Sequence, residues 1–123
     1  MTIKQVQVVS VPVADQDRAR DFYRDKLGFE VIADTAMGDQ RWVQVAPPGG
    51  GASLTLTTWF PTMPAGSLKG LVLETDDLDA DVKRLAERGV AIDGGIQEAP
   101  WGRFVTFDDP DGNGIVLQES AWA

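Results

Sequence analysis

Trp101-Gly-Arg-Phe-Val-Thr-Phe-Asp-Asp-Pro-Asp-Gly-Asn-Gly-Ile-Val-Leu-Gln-Glu119 reads as two strands, residues 103–107 and 115–119, around a short polar connection. Asp-Pro pre-sets a turn φ, and Asp-Gly and Asn-Gly supply the positive φ that a reversing backbone needs, so the segment predicts a hairpin. A weaker copy lies upstream in Arg41-Trp-Val-Gln-Val-Ala-Pro-Pro-Gly-Gly-Gly-Ala-Ser-Leu-Thr-Leu56. Arg41, Trp42, Val43, Val45 and Pro48 fall opposite Arg103, Phe104, Val105, Phe107 and Pro110, 62 residues on. A hairpin stated twice predicts a chain built twice.

The flanking sequence carries the repeat outward. Residues 3–13 hold Val6, Val8, Val9, Val11 and Val13, a β-branched run that predicts a strand. Pro12 lacks the N–H a central strand needs, which places this strand at an edge or bends it there. Asp15 or Asp17 then caps a helix running to about Lys26, with Ala19, Phe22, Tyr23 and Leu27 on its apolar face and Gly28 as its stop. A short strand over 29–33, a polar loop at Met37-Gly-Asp-Gln40 and the first hairpin (41–46 and 53–58) complete one module. The second repeats the order: a strand over 68–75, a cap at Asp76 or Asp77, a helix with Leu78, Val82, Leu85 and Ala86 on one face, a stop at Gly89, and a weak strand over 90–93. Asp15 matches Asp77 and Gly28 matches Gly89, at separations of 62 and 61 residues. Neither half can bury a sheet face alone, so the two pair. Trp59-Phe-Pro-Thr-Met-Pro-Ala-Gly-Ser67, with two prolines and a glycine, is the joint. The expected organisation is one domain over 1–123: a first βαβββ module at 1–59, a linker at 60–67 and a second module at 68–123.

Composition narrows the chemistry. A chain of 123 residues, 43% hydrophobic and 24% charged, is an ordinary globular domain. No window approaches the roughly 20 apolar residues of a membrane span, and the first residues are not those of a secretory leader, so the cytoplasm is the expected compartment. Without cysteine there is no disulfide, thiolate metal site or thiol nucleophile. The absence of histidine removes the commonest neutral metal ligand and the commonest general base near neutrality. Carboxylates, Tyr23, arginines, lysines and hydroxyls remain. The net charge of −8 speaks against nucleic acid and anionic membrane as partners and suits a cationic ligand, or simply a solvated acidic surface.

The double βαβββ pattern resembles the vicinal oxygen chelate superfamily of glyoxalases, extradiol dioxygenases and bleomycin-resistance proteins. The resemblance rests on Val11-Pro-Val-Ala-Asp15 leading to Phe22-Tyr23 and Leu27-Gly-Phe29, on Glu74-Thr-Asp-Asp-Leu78, and on Pro100-Trp-Gly-Arg through Asp109-Pro-Asp-Gly-Asn113. It implies an α+β fold in which two modules form a curved mixed sheet around a cleft. It also implies a homodimer. In metal-dependent members, histidines and glutamates at four strand positions hold a divalent ion. Those positions correspond here to Val8, Thr55, Gly70 and Val116, which offer a single weak hydroxyl. Such donors suit neither a hard cation nor a transition metal, so no metal and no other cofactor is expected.

Alternation along the strands then predicts the cleft lining. Taking those four positions as inward-facing, Ser10, Thr57, Val72, Glu74 and Gln118 join Val8, Thr55, Gly70 and Val116. This is a mostly apolar surface with few polar groups, as in a small-molecule pocket or an ordinary sheet interior. Trp42 on the first hairpin, Trp59 and Phe60 in the linker and Trp101 at the second hairpin are rings on which a flat ligand could stack. Arg41 and Arg103, a repeat-related pair, fit either a carboxylate clamp or surface ion pairs. Glu74 is the candidate general base if the cleft desolvates it. Trp122 falls in the tail. The expected function is metal-independent binding of a drug or metabolite, cationic or aromatic, in a cleft or dimer groove, in the manner of bleomycin-type resistance proteins. The alternatives are a metal-free isomerase, cyclase or lyase using Glu74, and a metal-dependent glyoxalase or dioxygenase, which the ligand positions argue against.

Overall fold

The structure, a computed structural model, describes residues 1–121; Trp122 lies outside the described residues. The first module runs β1 (Val8–Pro12), α1 (Gln16–Asp21) continued by a π turn (Phe22–Lys26), β2 (Glu30–Met37), β3 (Gln40–Ala46) and β4 (Ser53–Thr57). The second runs β5 (Leu71–Glu74), α2 (Leu78–Glu87), β6 (Asp93–Ala99), β7 (Gly102–Asp108) and β8 (Gly114–Ser120). Each module forms a four-stranded sheet of the same topology, β1-β4-β3-β2 and β5-β8-β7-β6. Its first strand lies parallel to its last, and the other neighbours are antiparallel. This is the expected α+β architecture.

The helices start where their side chains satisfy the backbone. Asp15 accepts from the Arg18 N–H at 3.1 Å and Asp77 from the Ala80 N–H at 3.1 Å, each meeting one of the unpaired donors of a first turn. At the other end, the carbonyls of Tyr23 and Leu85 accept the N–H of Phe29 and Val90, both at 2.9 Å, just after the stop glycines. Five intervening residues in α1 against four in α2 explain why the repeat offset falls from 62 to 61. The additional residue is absorbed by the π turn.

The sheet faces towards the helices carry the core: Val11, Val43, Val45, Leu54 and Leu56 in one module, Val105, Phe107, Ile115 and Leu117 in the other. Tyr23, Phe29, Leu78 and Leu85 close over them. The modules are tied by a buried polar lock. Tyr23 donates to Asp109 Oδ2 at 3.0 Å, and Asn113 Nδ2 donates to the same oxygen and to the Pro12 carbonyl, both at 2.8 Å. Asn113 Oδ1 accepts the Leu68 N–H, while Asp109 Oδ1 accepts the N–H groups of Asp111 and Asn113. A buried polar cluster with these bonds made is specific rather than costly.

Several boundaries differ from expectation. The β1 ladder begins only at Val8, and Pro12 is accommodated because β1 is an edge strand. β2 runs on to Met37, because Gly38, with φ +62°, and Asp39 make a tight turn to Gln40. β5 is confined to Leu71–Glu74. The last module's weak strand is not at 90–93: β6 begins at Asp93 and passes through Gly94 and Gly95, where the register shifts against β7. There the glycines mark an irregular edge rather than a break.

Candidate functional site

The faces turned away from the helices are the candidate binding surface, and strand pairing fixes which residues share them. On the first sheet Ser10 lies opposite Thr55, Val8 opposite Ser53 and Gln44 opposite Thr55. On the second Val72 lies opposite Val116, Glu74 opposite Gln118, and Phe104 and Thr106 opposite Gln118 and Val116. Val8, Ser10, Thr55 and Thr57 share one face of the first sheet and Val72, Glu74, Val116 and Gln118 one face of the second, while Gly70 precedes β5 and lies outside its ladder. Among the described residues no hydrogen bond or ion pair joins the open face of one module to that of the other.

On the first module the face is aromatic at one end. Trp42 stacks on Trp59, with ring centroids 6.3 Å apart and 28° between planes, and Trp59 meets Phe60 at 6.0 Å. Trp42 Nε1 donates to Gln44 Oε1 at 3.0 Å, Gln44 Nε2 donates to Ser53 Oγ at 2.6 Å, and Ser53 Oγ donates to the Gln7 carbonyl. This chain holds the indole in place. Thr55 and Thr57 are buried, and their hydroxyls donate to the carbonyls of Val43 and Val11, so they shape the face without offering free polar groups.

On the second module Val72 is 53% exposed beside Val116. Gln118 Nε2 donates to Ser120 Oγ at 3.0 Å, and Ser120 donates through its hydroxyl and its N–H to the two oxygens of Glu74, at 2.5 and 2.9 Å. Glu74 is therefore exposed and engaged, not enclosed as a desolvated base would be. Trp101 stands half-exposed in the turn between β6 and β7. The next residue has to be glycine, since at φ +141° a Cβ on Gly102 would lie 2.3 Å from the Glu119 carbonyl oxygen.

Arg103 points to the helix side of β7. Its Nη2 lies 2.8 Å from both Asp79 and Glu119, and hydrogen bonds to the two, Asp79 foremost, raise its pKa further. Arg41 repeats the arrangement with Asp17 and Asp34 at 2.9 and 2.8 Å. Hydrogen bonding from Arg41 first, then Arg20, holds the Asp34 carboxyl down at about 2. Asp17 and Asp79 sit in matching first turns, so the duplicated arginines staple each hairpin to its helix. Neither guanidinium is left free to clamp a ligand.

At the four positions where the resemblance to metal-dependent enzymes would put ligands, the chemistry is absent. Val8, Gly70 and Val116 have no donor side chain, and the Thr55 hydroxyl is already given to a backbone carbonyl. Among the described residues no group of three or more carboxylates, histidines or cysteines is placed to hold an ion. The residues present do not fit a divalent metal.

A separate cavity of about 860 Å³ lies on the helix side, between the modules. It takes in Val72 and Glu74 from the expected lining. Ser10, Trp42, Thr55, Thr57, Trp59, Trp101, Arg103, Val116 and Gln118 lie outside it. Sequence alternation did not point to this space, because it arises from how the two modules dock.

Fold and surface together define a small protein of duplicated βαβββ modules. The chain belongs to the Glyoxalase/Bleomycin resistance protein/Dioxygenase superfamily, whose family model matches residues 4–117. It is 55% identical to TnmS3, an antibiotic binding protein from Streptomyces sp. CB03234, with a TM-score of 0.94 over 98% of this chain and 99% of that one. A glyoxalase/bleomycin resistance protein from the same organism is also 55% identical, with a TM-score of 0.86 over 94% of this chain and all of that one. YetH of Bacillus subtilis, uncharacterized, is 36% identical over 95% of this chain and 99% of its own length. No described helix is long and apolar enough to cross a membrane.

Proposed function

We propose that this chain is a metal-independent small-molecule-binding protein that sequesters a drug or metabolite on its open sheet faces, in a groove completed by a second copy of the chain. The observation that carries this is the aromatic end of the first open face, where Trp42, Trp59 and the exposed Phe60 present three rings in succession. Rings fixed by stacking and by a hydrogen-bond chain bind a flat ligand at little entropic cost. The likeness to an antibiotic binding protein supports the same reading. So does the donor-poor set Val8, Thr55, Gly70 and Val116, which offers nothing to activate a substrate. The acidic balance favours a ligand with a cationic substituent on an aromatic body.

The test is a titration with a panel of cationic and neutral aromatic antibiotics, read by tryptophan fluorescence, followed by mass spectrometry of the recovered compound. Saturable quenching, return of the unaltered compound and indifference to EDTA are expected. Trp42→Ala should weaken binding at least tenfold. Conversion of the compound, or activity gained on adding Mn²⁺, Ni²⁺ or Zn²⁺, would overturn the proposal.

A further inference from the structure

The seam between the modules has two equivalent ends, built differently. Lys26 Nζ donates to the Arg88 carbonyl at 2.6 Å, and Arg88 donates back to the Lys26 carbonyl at 3.1 Å, a reciprocal clasp about an approximate twofold axis. One end of the seam is filled by the Tyr23–Asp109–Asn113 lock. At the other end the same three places are taken by other residues. Leu85 stands where Tyr23 does, since both carbonyls receive the N–H that follows a stop glycine. Counted from β3 and β7, Pro47 answers to Asp109; counted back from β4 and β8, Ala52 answers to Asn113. All three replacements are apolar, none can remake the lock, and all three line the 860 Å³ cavity.

We propose that this cavity, which lies on the helix side and meets the second open face only at Val72 and Glu74, is a second ligand site that takes a small amphipathic anion. Its apolar body would lie against Leu54, Leu73, Leu85 and Phe107, and its carboxylate at the Lys26–Arg88 clasp. The volume falls within the roughly 300–1,000 Å³ of small-molecule pockets. An apolar wall of this extent left to water forgoes both the hydrophobic gain and the contacts of a filled seam.

The choice of an anion rests on which cationic donors at the cavity are free of a carboxylate. Arg18, Arg20, Arg24, Arg41, Arg84 and Arg103 each lie within 4.0 Å of a carboxylate. Among the described residues Lys4, Lys26, Lys69, Lys83 and Arg88 have no such partner, and of these Lys26 and Arg88 line the cavity; each spends one donor on the other's backbone and keeps the rest. Of the carboxylates at the rim, Glu74 is engaged by Ser120, and Asp81 by Thr75 and Arg84. Glu74 keeps its charge against the neutral donors of Ser120, so with Asp76 it matches Lys26 and Arg88 in number, and the anion is selected by the clasp's free donors rather than by net charge.

Calorimetry and amide chemical shifts with octanoate and 1-octanol as probes test this. One octanoate per chain is expected, with shifts at Leu73 and Leu85. Lys26→Gln with Arg88→Gln should weaken octanoate at least fivefold and leave octanol unchanged. Leu85→Tyr, which restores the bulk of the filled end, should abolish both. The exposed clasp variants decide the matter if Leu85→Tyr folds poorly. Failure of octanoate to bind at millimolar concentration, equal effects of the clasp variants on acid and alcohol, or binding undiminished in a folded Leu85→Tyr protein would each overturn it. None of these results bears on ligand binding at Trp42, so the two sites stand or fall separately.

Discussion

Tyr23 is the chain's single tyrosine, and its environment makes a prediction about pH. Burial above all, then the charge of Asp109 and the hydrogen bond to it, raises the hydroxyl's pKa above its ordinary value near 10. The folded state thus keeps a proton that the unfolded chain releases. The stabilisation is fully present below pH 10 and is lost above it, by up to about 1.4 kcal/mol per pH unit. Tyr23→Phe removes the titration together with the hydrogen bond. Urea denaturation at pH 7 should find the variant less stable by about 1–2 kcal/mol, the figure for a buried bond to a charged acceptor that retains another donor. Between pH 10 and 11 the two proteins should converge. A gap that stays constant with pH would mean that the hydroxyl does not carry the coupling. The sequence showed Tyr23 only as one apolar position on a helix. Its partner is 86 residues away, and no local pattern announces a bond of that span.

At the level of elements, legibility followed how local the determining interaction was. The hairpins β3–β4 and β7–β8 could be read because their turn residues dictate φ within a few positions. The helix starts were readable because Asp15 and Asp77 act on N–H groups three residues on. β6 was misplaced because an edge strand through Gly94 and Gly95 is held by β7, not by its own propensity. Alternation grouped Ser10, Thr55, Val72, Val116 and Gln118 as the inward lining of a cleft, but it did not show the hydroxyls of Thr55 and Thr57 already committed to backbone. For the arginines, the open question was a ligand clamp against an ion pair, and the first turns of the helices answer it. Because the Arg103 pairs are exposed, screening limits what they contribute to stability. Arg103→Gln should lower Tm by a few degrees at most and change the affinity for an aromatic ligand less than twofold, as measured by fluorescence titration. A tenfold loss of affinity with Tm unchanged would return Arg103 to the binding surface.

For the whole molecule, the duplication decides what the chain can do alone. Each sheet uses its helix-side face for the shared core, and its other face is only partly exposed, with Ser53, Thr55 and Thr57 buried on the first. These faces carry the partly exposed Trp42, Phe104 and Val116 and the half-exposed Val72. The proposed homodimer covers both faces at once, in the isologous manner of a twofold pair. A stable pair requires about 1,200–2,000 Å² of total buried surface. Val116 sits mid-strand on an open face, opposite Val72 and Thr106 and away from the helix-side core. Val116→Glu should therefore spare the fold and disfavour the pair, because a carboxylate enclosed there would have no counter-ion. Light scattering after size exclusion at micromolar concentration should give a dimer for the native chain and a monomer with unchanged far-UV circular dichroism for the variant. Aromatic-ligand binding should disappear with the dimer, since in the proposed pair half of each groove comes from the partner, while octanoate binding in the intrachain cavity should persist. A native monomer that still binds the aromatic ligand would place the whole site on one chain and dissolve the link between pairing and sequestration.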